Sequence, residues 1–390
     1  MLSITVLICT YRRAHDLQRC LVALDEQTRR PDDIIVVARQ EDHETHAVLA
    51  AFHDNPLVRV IRVSTPGLVA ARNAGLDGLR TDLVAMIDDD TVPYPYWLQR
   101  VEHHFLANER LGGLGGRDRC VNDPDCDHAR RAPVGKLQFF GRFIGNHNAG
   151  FGVPREVDSL KGVSMSYRRT AISGLRFDWR LRGKGTQPYE DLAFSLAVQR
   201  AGWQLIYDPE VLVDHYESPR EEPRHYAAML PISDAEAYGD VTYNFVLATH
   251  DSLSFVRRAI YILWQISIGT RVSPGFLQAI RFTKTLGRSS WQRFWITQKA
   301  LASAHLDLYR KCYATASAEE AQPGPAPNLG RVGAFEEGFS GQDRARDHQE
   351  HVMPGSASNL VPAAAQGQRV RPWELRRETP ISGTHPRNSK

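Results

Sequence analysis

Three consecutive carboxylates, Asp88, Asp89 and Asp90, directly follow an apolar run at Leu83–Ile87 and are the residues of this chain best suited to chemistry. A buried strand does not accept unpaired anions, and three adjacent anions repel one another unless a cation neutralises them. Carboxylates at the carboxyl end of a buried strand are typical of a site for a divalent metal ion and a nucleotide diphosphate. The alternative is structural, with Asp90 and Thr91 beginning the next helix through a side-chain N-cap.

The length and charge of the chain limit its class. With 390 residues it holds either one large domain with appendages or two domains, and its net charge of +3 gives no general indication of nucleic-acid binding. The chain begins directly with an apolar strand, so we expect no signal peptide. No stretch approaches the roughly 20 apolar residues of a membrane-spanning helix.

The five cysteines are scattered and odd in number. Cys9 and Cys20 fall within a predicted strand and a predicted helix, which indicates reduced core thiols in a cytoplasmic protein. Cys120 and Cys126 have acidic residues and a histidine nearby, so a zinc site is an alternative there. Their spacing fits no standard zinc-binding pair, and a polar loop is favoured.

The hydrophobic pattern of the first two hundred residues alternates between strands and amphipathic helices. This pattern predicts an α/β fold with a mostly parallel, Rossmann-like sheet flanked by helices. Strands are predicted at 4–9, 34–37, 58–63, 83–87, 162–167, 205–207 and 211–213, and helices at 15–27, 44–52, 68–79, 95–105 and 190–201. Between 112 and 151 the pattern dissolves into glycines, charges and prolines, which predicts a long loop or irregular edge strands.

The remainder of the chain divides by composition. We predict a catalytic domain over residues 1–216, a helical region over 217–316 and a disordered tail over 317–390. Residues 252–312 carry ten Lys or Arg, one acid (Asp307) and many aromatic residues. Such helices favour an anionic membrane interface, and a helical cap over the catalytic sheet or a nucleic-acid patch are the alternatives.

Several motifs together resemble a known family. They are Ile4–Arg13, the segment Gly67–Gly75 with its Ala-Arg-Asn run, Asp88-Asp89-Asp90, Glu190-Asp191 and the closing segment Tyr207–His215. In order and spacing they resemble the family 2 glycosyltransferases, inverting enzymes of the GT-A fold, over residues 3–215. Each motif alone is weak, but five in order are specific.

The resemblance implies roles for the acidic motif. Asp90 contacts a divalent metal ion, Mg²⁺ or Mn²⁺, while Asp88 contacts the nucleotide ribose or the metal. Asp89 occupies the variable middle position and is expected to face solvent. His215 resembles a third metal or diphosphate ligand, and a histidine satisfied at the domain edge is the alternative.

The resemblance also implies a nucleotide-sugar site. Its expected residues are Thr10, Tyr11, Arg13, Gln40, Asp42, Arg72, Asn73, Asp88 and Asp89. Gln40 and Asp42 belong to this set because the chain lacks the Asp that the family usually carries directly after the second strand. This departure leaves the nucleotide base open.

Asp191 is the candidate general base, because an acceptor hydroxyl is a poor nucleophile and a carboxylate within reach takes its proton. Glu190 is expected to orient Asp191 or to bind acceptor hydroxyls. A structural alternative is that both acids merely favour the first turn of a helix.

These features predict a metal-dependent inverting glycosyltransferase at the cytoplasmic face of a membrane, acting on a glycan or lipid-linked acceptor for envelope or exported polysaccharide. The absence of a Q-x-x-R-W motif, which processive synthases of the family carry, predicts the addition of one sugar per encounter. The alternatives are a sugar nucleotidyltransferase and a catalytically silent nucleotide- or glycan-binding protein of the same fold. We expect no nucleic-acid partner.

Overall fold

The computed structural model of the protein describes residues 1–123, 133–183, 185–218, 232 and 234–320. Met1–Ser317 form one compact unit, which is the unit described below. Its centre is a large sheet that carries a buried apolar cluster on each face.

Four parallel strands in the spatial order β3-β2-β1-β4 form the first half of this sheet. They are β1 (Ile4–Thr10), β2 (Asp33–Arg39), β3 (Val58–Val63) and β4 (Leu83–Asp88), connected by helices α1 (Ala14–Asp25), α2 (His43–Ala50) and α3 (Leu68–Asp77). Along β1, Ile4 and Val6 point into one apolar cluster and Leu7 into the other. Because both faces of β1, β2 and β4 are covered, these three strands are nearly continuous apolar runs, whereas the edge strand β3 is partly exposed. The predicted parallel α/β arrangement is confirmed.

Mixed pairing forms the second half of the sheet. Strand β10 (Ser164–Arg168) lies antiparallel between β4 and β6 (Leu111–Cys120), and β11 (Gln204–His215) runs parallel to β6. The smaller strands are β5 (Thr91–Pro93) and β9 (Arg155–Glu156), both paired with β11, and the hairpin β7 (Lys136–Leu137) and β8 (Phe143–Ile144). Helices α4 (Trp97–Ala107) and α5 (Glu190–Arg200) complete this half. The two short strands predicted at 205–207 and 211–213 are one strand, with a register shift between Asp208 and Leu212.

The prediction of an irregular or edge segment from residue 112 is wrong for β6, which lies inside the sheet. Its first residues, Leu-Gly-Gly-Leu-Gly-Gly, do not alternate between apolar and polar types. They are mostly glycines because neighbouring side chains and backbone fill the space that side chains of β6 would take. A Cβ on Gly113 would lie 2.7 Å from Leu205, and one on Gly116 would lie 1.8 Å from the carbonyl oxygen of Val211. These glycines allow the close approach of β11.

Four helices follow in the last part of the described chain: α6 (Ala235–His250), α7 (Phe255–Ser267), α8 (Phe276–Leu286) and α9 (Arg288–Glu320). The mainly helical character predicted for this region agrees with them. Among the described residues, no helix is long and apolar enough to cross a membrane. The first four residues of the predicted disordered tail, 317–320, belong to α9, and the rest of the tail lies outside the described residues.

The predicted core thiols Cys9 and Cys20 are free, and Cys20 is buried. Cys120 is also a free, buried thiol at the end of β6. Cys126 and its polar neighbours lie outside the described residues, and so does the alternative zinc pair that needs them.

Candidate active site

The three carboxylates lie where two strands of the sheet meet. Asp88 ends β4, and Asp89 and Asp90 form the turn into β5. Strand β5 pairs antiparallel with the end of β11, with Thr91 opposite His215. This pairing brings a histidine 125 positions away onto the acidic turn. A strand follows the turn, so the interpretation of Asp90 and Thr91 as a helix N-cap is wrong.

Asp88, Asp90 and His215 offer ligand atoms that all lie within 4.8 Å of one another. Nε2 of His215 is 3.3 Å from Oδ1 of Asp90, and both side chains are buried. Among the described residues, Oδ1 of Asp90 and both ring nitrogens of His215 have no hydrogen-bond partner. Buried polar atoms are seldom left unpaired, so an oxygen- and nitrogen-seeking cation fits this cluster.

The charges in the cluster are strongly coupled. Burial raises the pKa of Asp90, but the adjacent His215 and Arg13 outweigh burial and lower that pKa to about 2. Burial lowers the pKa of His215, but Asp118 and Asp90 outweigh it and raise that pKa to about 11. Asp90 is therefore an anion at neutral pH, and the backbone N–H of Ser218 donates to its Oδ2 at 3.1 Å.

Arg13 holds the turn from the opposite side. Its guanidinium lies 3.0 Å from Oδ1 of Asp89 and 3.2 Å from Oδ2 of Asp90. The expectation that Asp89 faces solvent is wrong, because Asp89 is 3% exposed. Burial raises the pKa of Asp89 to about 7, against the opposing charge of Arg13. The positive charge of Arg13 thus offsets the negative charge of two carboxylates of the motif, Asp89 and Asp90.

A second ion pair joins α3 to α5. Arg72 on α3 contacts Glu190, the first residue of α5, and lies 3.6 Å from Asp88. Burial lowers the pKa of Arg72, but Glu190 and Asp88 raise it more, so the guanidinium stays charged. Arg72 also donates to the carbonyl oxygen of Gly162 at 3.3 Å. A Cβ on Gly162 would lie 2.6 Å from the guanidinium, which explains the glycine there.

Asp191 is held by backbone donors. The N–H of Gly162 donates to its Oδ2 at 3.0 Å, and the N–H of Leu192 donates to its Oδ1 at 2.8 Å. Gly162 therefore bonds Asp191 through its nitrogen and Arg72 through its oxygen. The structure brings Asp191 into one network with Glu190 and Asp88, as the sequence predicted for a shared site.

Three other residues predicted to bind the donor lie at the carboxyl ends of two neighbouring strands, β1 and β2. Thr10 is buried at the end of β1, whereas Tyr11 is 38% exposed beside the guanidinium of Arg39. Gln40 is exposed after β2. These positions line the carboxyl ends of β1 and β2, and their contact with a nucleotide stays a prediction.

Asp42 and Asn73 already have protein partners. Asp42 is the N-cap of α2, and its carboxylate accepts hydrogen bonds from Thr45 and from the backbone N–H of Arg12. The amide of Asn73 exchanges two hydrogen bonds with the backbone of Phe177, at 3.0 and 2.9 Å. In this structure both side chains fix local backbone, and a role in donor binding stays a prediction for each.

Two residues near the site were missed by sequence reasoning. Asp118, on β6, lies 3.6 Å from Nδ1 of His215 and is 1% exposed. Lys161, which precedes Gly162, contacts the Asp118 carboxylate. Burial raises the pKa of Asp118, but Lys161 and His215 outweigh it and lower that pKa to about 2. The available signal was an isolated Asp in a glycine-rich segment, which the pattern assigned to a loop.

Comparison with known proteins finds a family similar to the first part of the chain. Residues 5–170 match the family described as Glycosyl transferase family 2. Residues 5–170 of this chain are therefore similar to the family 2 glycosyltransferases. The match includes Arg13, Asp88 and Asp90 and ends just after β10.

Curated relatives agree with this family. The chain is 24% identical over 222 residues to the glucosyl-dolichyl phosphate glucuronosyltransferase of Haloferax volcanii, covering 55% of this chain and 69% of that protein. It is 30% identical over 102 residues to glycosyltransferase AglE of the same organism, covering 25% of this chain and only 33% of that protein. A solved mannosyltransferase from Pyrobaculum calidifontis, in complex with GDP-Man and Mn²⁺, is 16% identical with a TM-score of 0.45, covering 82% of this chain and 80% of that one.

Proposed function

We propose that this glycosyltransferase moves a sugar from a nucleoside diphosphate sugar to an acceptor hydroxyl with inversion, and that it depends on a divalent metal ion. The observation that carries this proposal is the network around Gly162, which links Asp191 through Arg72 to Asp88. A carboxylate suited to deprotonating an acceptor thus lies in the same site as carboxylates suited to a metal–diphosphate complex.

Asp88, Asp90 and His215 would hold the metal ion. When bound, such an ion neutralises the charge that develops on the departing diphosphate. Arg13 keeps the turn in place by pairing with Asp89 and Asp90, so the carboxylates need little rearrangement when a cation enters. Oδ1 of Asp90 and the ring nitrogens of His215, which make no hydrogen bond among the described residues, would supply ligand positions.

Asp191 would act as the base. Its two backbone hydrogen bonds fix the carboxylate plane, and a carboxylate held within reach of an acceptor hydroxyl can take its proton. Glu190 is less suited, because it is buried and paired with Arg72. A single displacement needs one base and no nucleophile on the protein, so the product is inverted at the anomeric carbon.

Asp191→Asn tests this assignment. We expect turnover to fall by about 10²–10⁴-fold while donor binding stays nearly intact, because the amide keeps the shape but not the basicity. Donor binding is measured by calorimetry with UDP- and GDP-sugars in the presence of Mn²⁺, and the product configuration by NMR. A product with retained configuration, or a variant with wild-type turnover, would refute the proposed chemistry.

We further propose that the acceptor is lipid-linked and that the protein works at an anionic membrane surface on the cytoplasmic side, adding one sugar per encounter. The relative named a glucosyl-dolichyl phosphate glucuronosyltransferase supports the acceptor class. The charge of helices α7 and α8 supports binding to an anionic membrane surface. Residues 252–306 contain no acidic residue, and Arg271, Arg281, Lys284 and Arg288 are exposed.

The two faces of α7 have different tasks. One face buries Tyr261 and Gln265, and Trp264 packs on Phe140 of the β7–β8 hairpin, with ring centroids 5.1 Å apart. The opposite face is apolar and exposed, with Phe255 at 82% and Leu263 at 66%. It continues onto α8 through Phe276, Leu277 and Ile280, each about half exposed. The predicted alternatives, a cap and a membrane interface, therefore fit the two faces of one helix.

Vesicle sedimentation tests the proposed binding to an anionic membrane surface. The double variant Phe255→Ser/Leu263→Ser should bind anionic phosphatidylglycerol vesicles at least about tenfold more weakly, since each buried apolar side chain contributes about 1.5–3 kcal/mol. Val153→Ser, at a residue 74% exposed in another part of the structure, is the matched control. Binding should weaken with salt and be lower on phosphatidylcholine vesicles. Wild-type protein that stays in the supernatant throughout would contradict the membrane proposal and leave the transfer chemistry untouched.

A further inference from the structure

The imidazole of His215 lies between two carboxylates, one in the turn between β4 and β5 and one on β6. Its Nε2 is 3.3 Å from Oδ1 of Asp90, and its Nδ1 is 3.6 Å from Oδ2 of Asp118. The ring is 2% exposed, and neither nitrogen makes a hydrogen bond within the described chain. The two nitrogens thus face different partners, one in the acidic turn and one on β6.

Asp118 is itself anchored. Lys161 contacts Oδ2 of Asp118, while Oδ1 of the same carboxylate has no partner among the described residues. Strand β6 pairs in register with β11 here, with Asp118 beside Val213 and Cys120 beside His215. Backbone pairing and an ammonium group therefore fix the carboxylate next to the ring.

A histidine that binds a cation through one nitrogen carries its proton on the other, and an acceptor at that second nitrogen fixes both the tautomer and the ring orientation. We propose that Asp118, held by Lys161, is a positioning residue that directs Nε2 of His215 toward the metal site at Asp88 and Asp90. This inference rests on the metal site of the proposed function.

A different use of these residues is a second cation site, because Asp118, Cys120 and His215 also offer ligand atoms within 4.8 Å of one another. The ammonium group of Lys161 on Asp118 opposes that use, since a second cation would be repelled there. The two uses predict different numbers of bound ions, which an experiment can count.

The first test is a titration of full-length protein with Mn²⁺ alone, followed by the electron paramagnetic resonance signal of free Mn²⁺. Asp118→Asn should weaken Mn²⁺ binding by about 10- to 100-fold while the wild-type stoichiometry of one ion is kept. The matched control is Asp208→Asn on β11, which breaks a buried Asp–His pair with His104 (2.7 Å) away from the acidic turn. The control should bind Mn²⁺ as the wild type does.

The second variant, Lys161→Met, separates positioning from simple electrostatics. Removing a positive charge alone should strengthen cation binding, whereas loss of the anchor of Asp118 should weaken it. We expect weaker Mn²⁺ binding. Unchanged or stronger binding in Lys161→Met, unchanged binding in Asp118→Asn, or two ions in the wild type with one in Asp118→Asn would each overturn the proposal. A wild-type protein that binds no Mn²⁺ would instead overturn the metal site of the proposed function, and this inference with it.

Discussion

Asn244 of α6 connects the C-terminal helices to the loop that leads into the candidate base. Its amide N–H groups donate to the carbonyl oxygens of Arg182 and Pro188, at 2.8 and 3.1 Å, and its oxygen accepts from the N–H of Arg182 at 2.8 Å. Asn244 is 0% exposed. We predict that Asn244→Ala both destabilises the protein and lowers turnover, although this residue lies outside the family match.

The size of the effect follows from the three hydrogen bonds. Each contributes about 0.5–1.5 kcal/mol, and the buried backbone groups left behind cannot reach water. The free energy of unfolding should therefore fall by about 2–4 kcal/mol, which corresponds to a decrease of about 3–6 °C in Tm for a unit of this size. Because the loop fixes the start of α5, turnover should fall by about 10- to 100-fold through misplacement of Asp191.

Urea unfolding followed by circular dichroism and a transfer assay measure the two effects. Thr242→Val is the matched control, because Thr242 is buried on the same helix but its hydroxyl pairs with Ser273 (2.8 Å) instead of the catalytic loop. It should cost about 1 kcal/mol and leave turnover unchanged. A loss below about 1 kcal/mol in Asn244→Ala, or normal turnover in a destabilised variant, would refute the role of α6 as a support of the site.

Three further outcomes are expected. Asp90→Asn should abolish Mn²⁺-dependent donor binding while the circular dichroism spectrum is preserved, because the carboxylate acts through its charge; calorimetry with retained binding would contradict the ligand assignment. Gly162→Ala should lower turnover by at least about tenfold with less effect on Tm, because the new Cβ displaces Arg72 from Asp88; a transfer assay at wild-type rate would exclude this contact as functional. Burial raises the pKa of Glu190 from 4.5 to about 8 in the folded state, so the folded protein binds more protons than the unfolded chain between these values and its stability falls as pH rises across them. Urea titrations at several pH values should show a shallower decline in Glu190→Gln, and equal slopes would contradict the pKa assignment.

The sequence by itself determined the first half of the sheet. The strands β1, β2 and β4 are buried on both faces, so each required a nearly continuous apolar run, and the intervening helices required one apolar stripe. The position of Asp88 at the end of β4 followed from that pattern alone. The helical start at Glu190 followed in the same way, because two acids preceded an amphipathic run.

Tertiary structure decided what the local pattern could not contain. Strand β6 shows no alternation because Gly113 and Gly116 make room for side chains and backbone of β11, so its strand character depends on a partner about 90 residues away. The pairing of Asp118 with His215 depends on the same register. The burial of Asp89 depends on Arg13 reaching across from the end of β1.

The same reason applies to the C-terminal helices. Their composition alone predicted basic, aromatic and acid-poor surfaces, and it left a membrane interface and a cap as alternatives. Which side of α7 is buried was decided by the hairpin at Phe140, which is not near in sequence. Composition reports which side chains are present, whereas burial is set by the surfaces that long-range packing brings together.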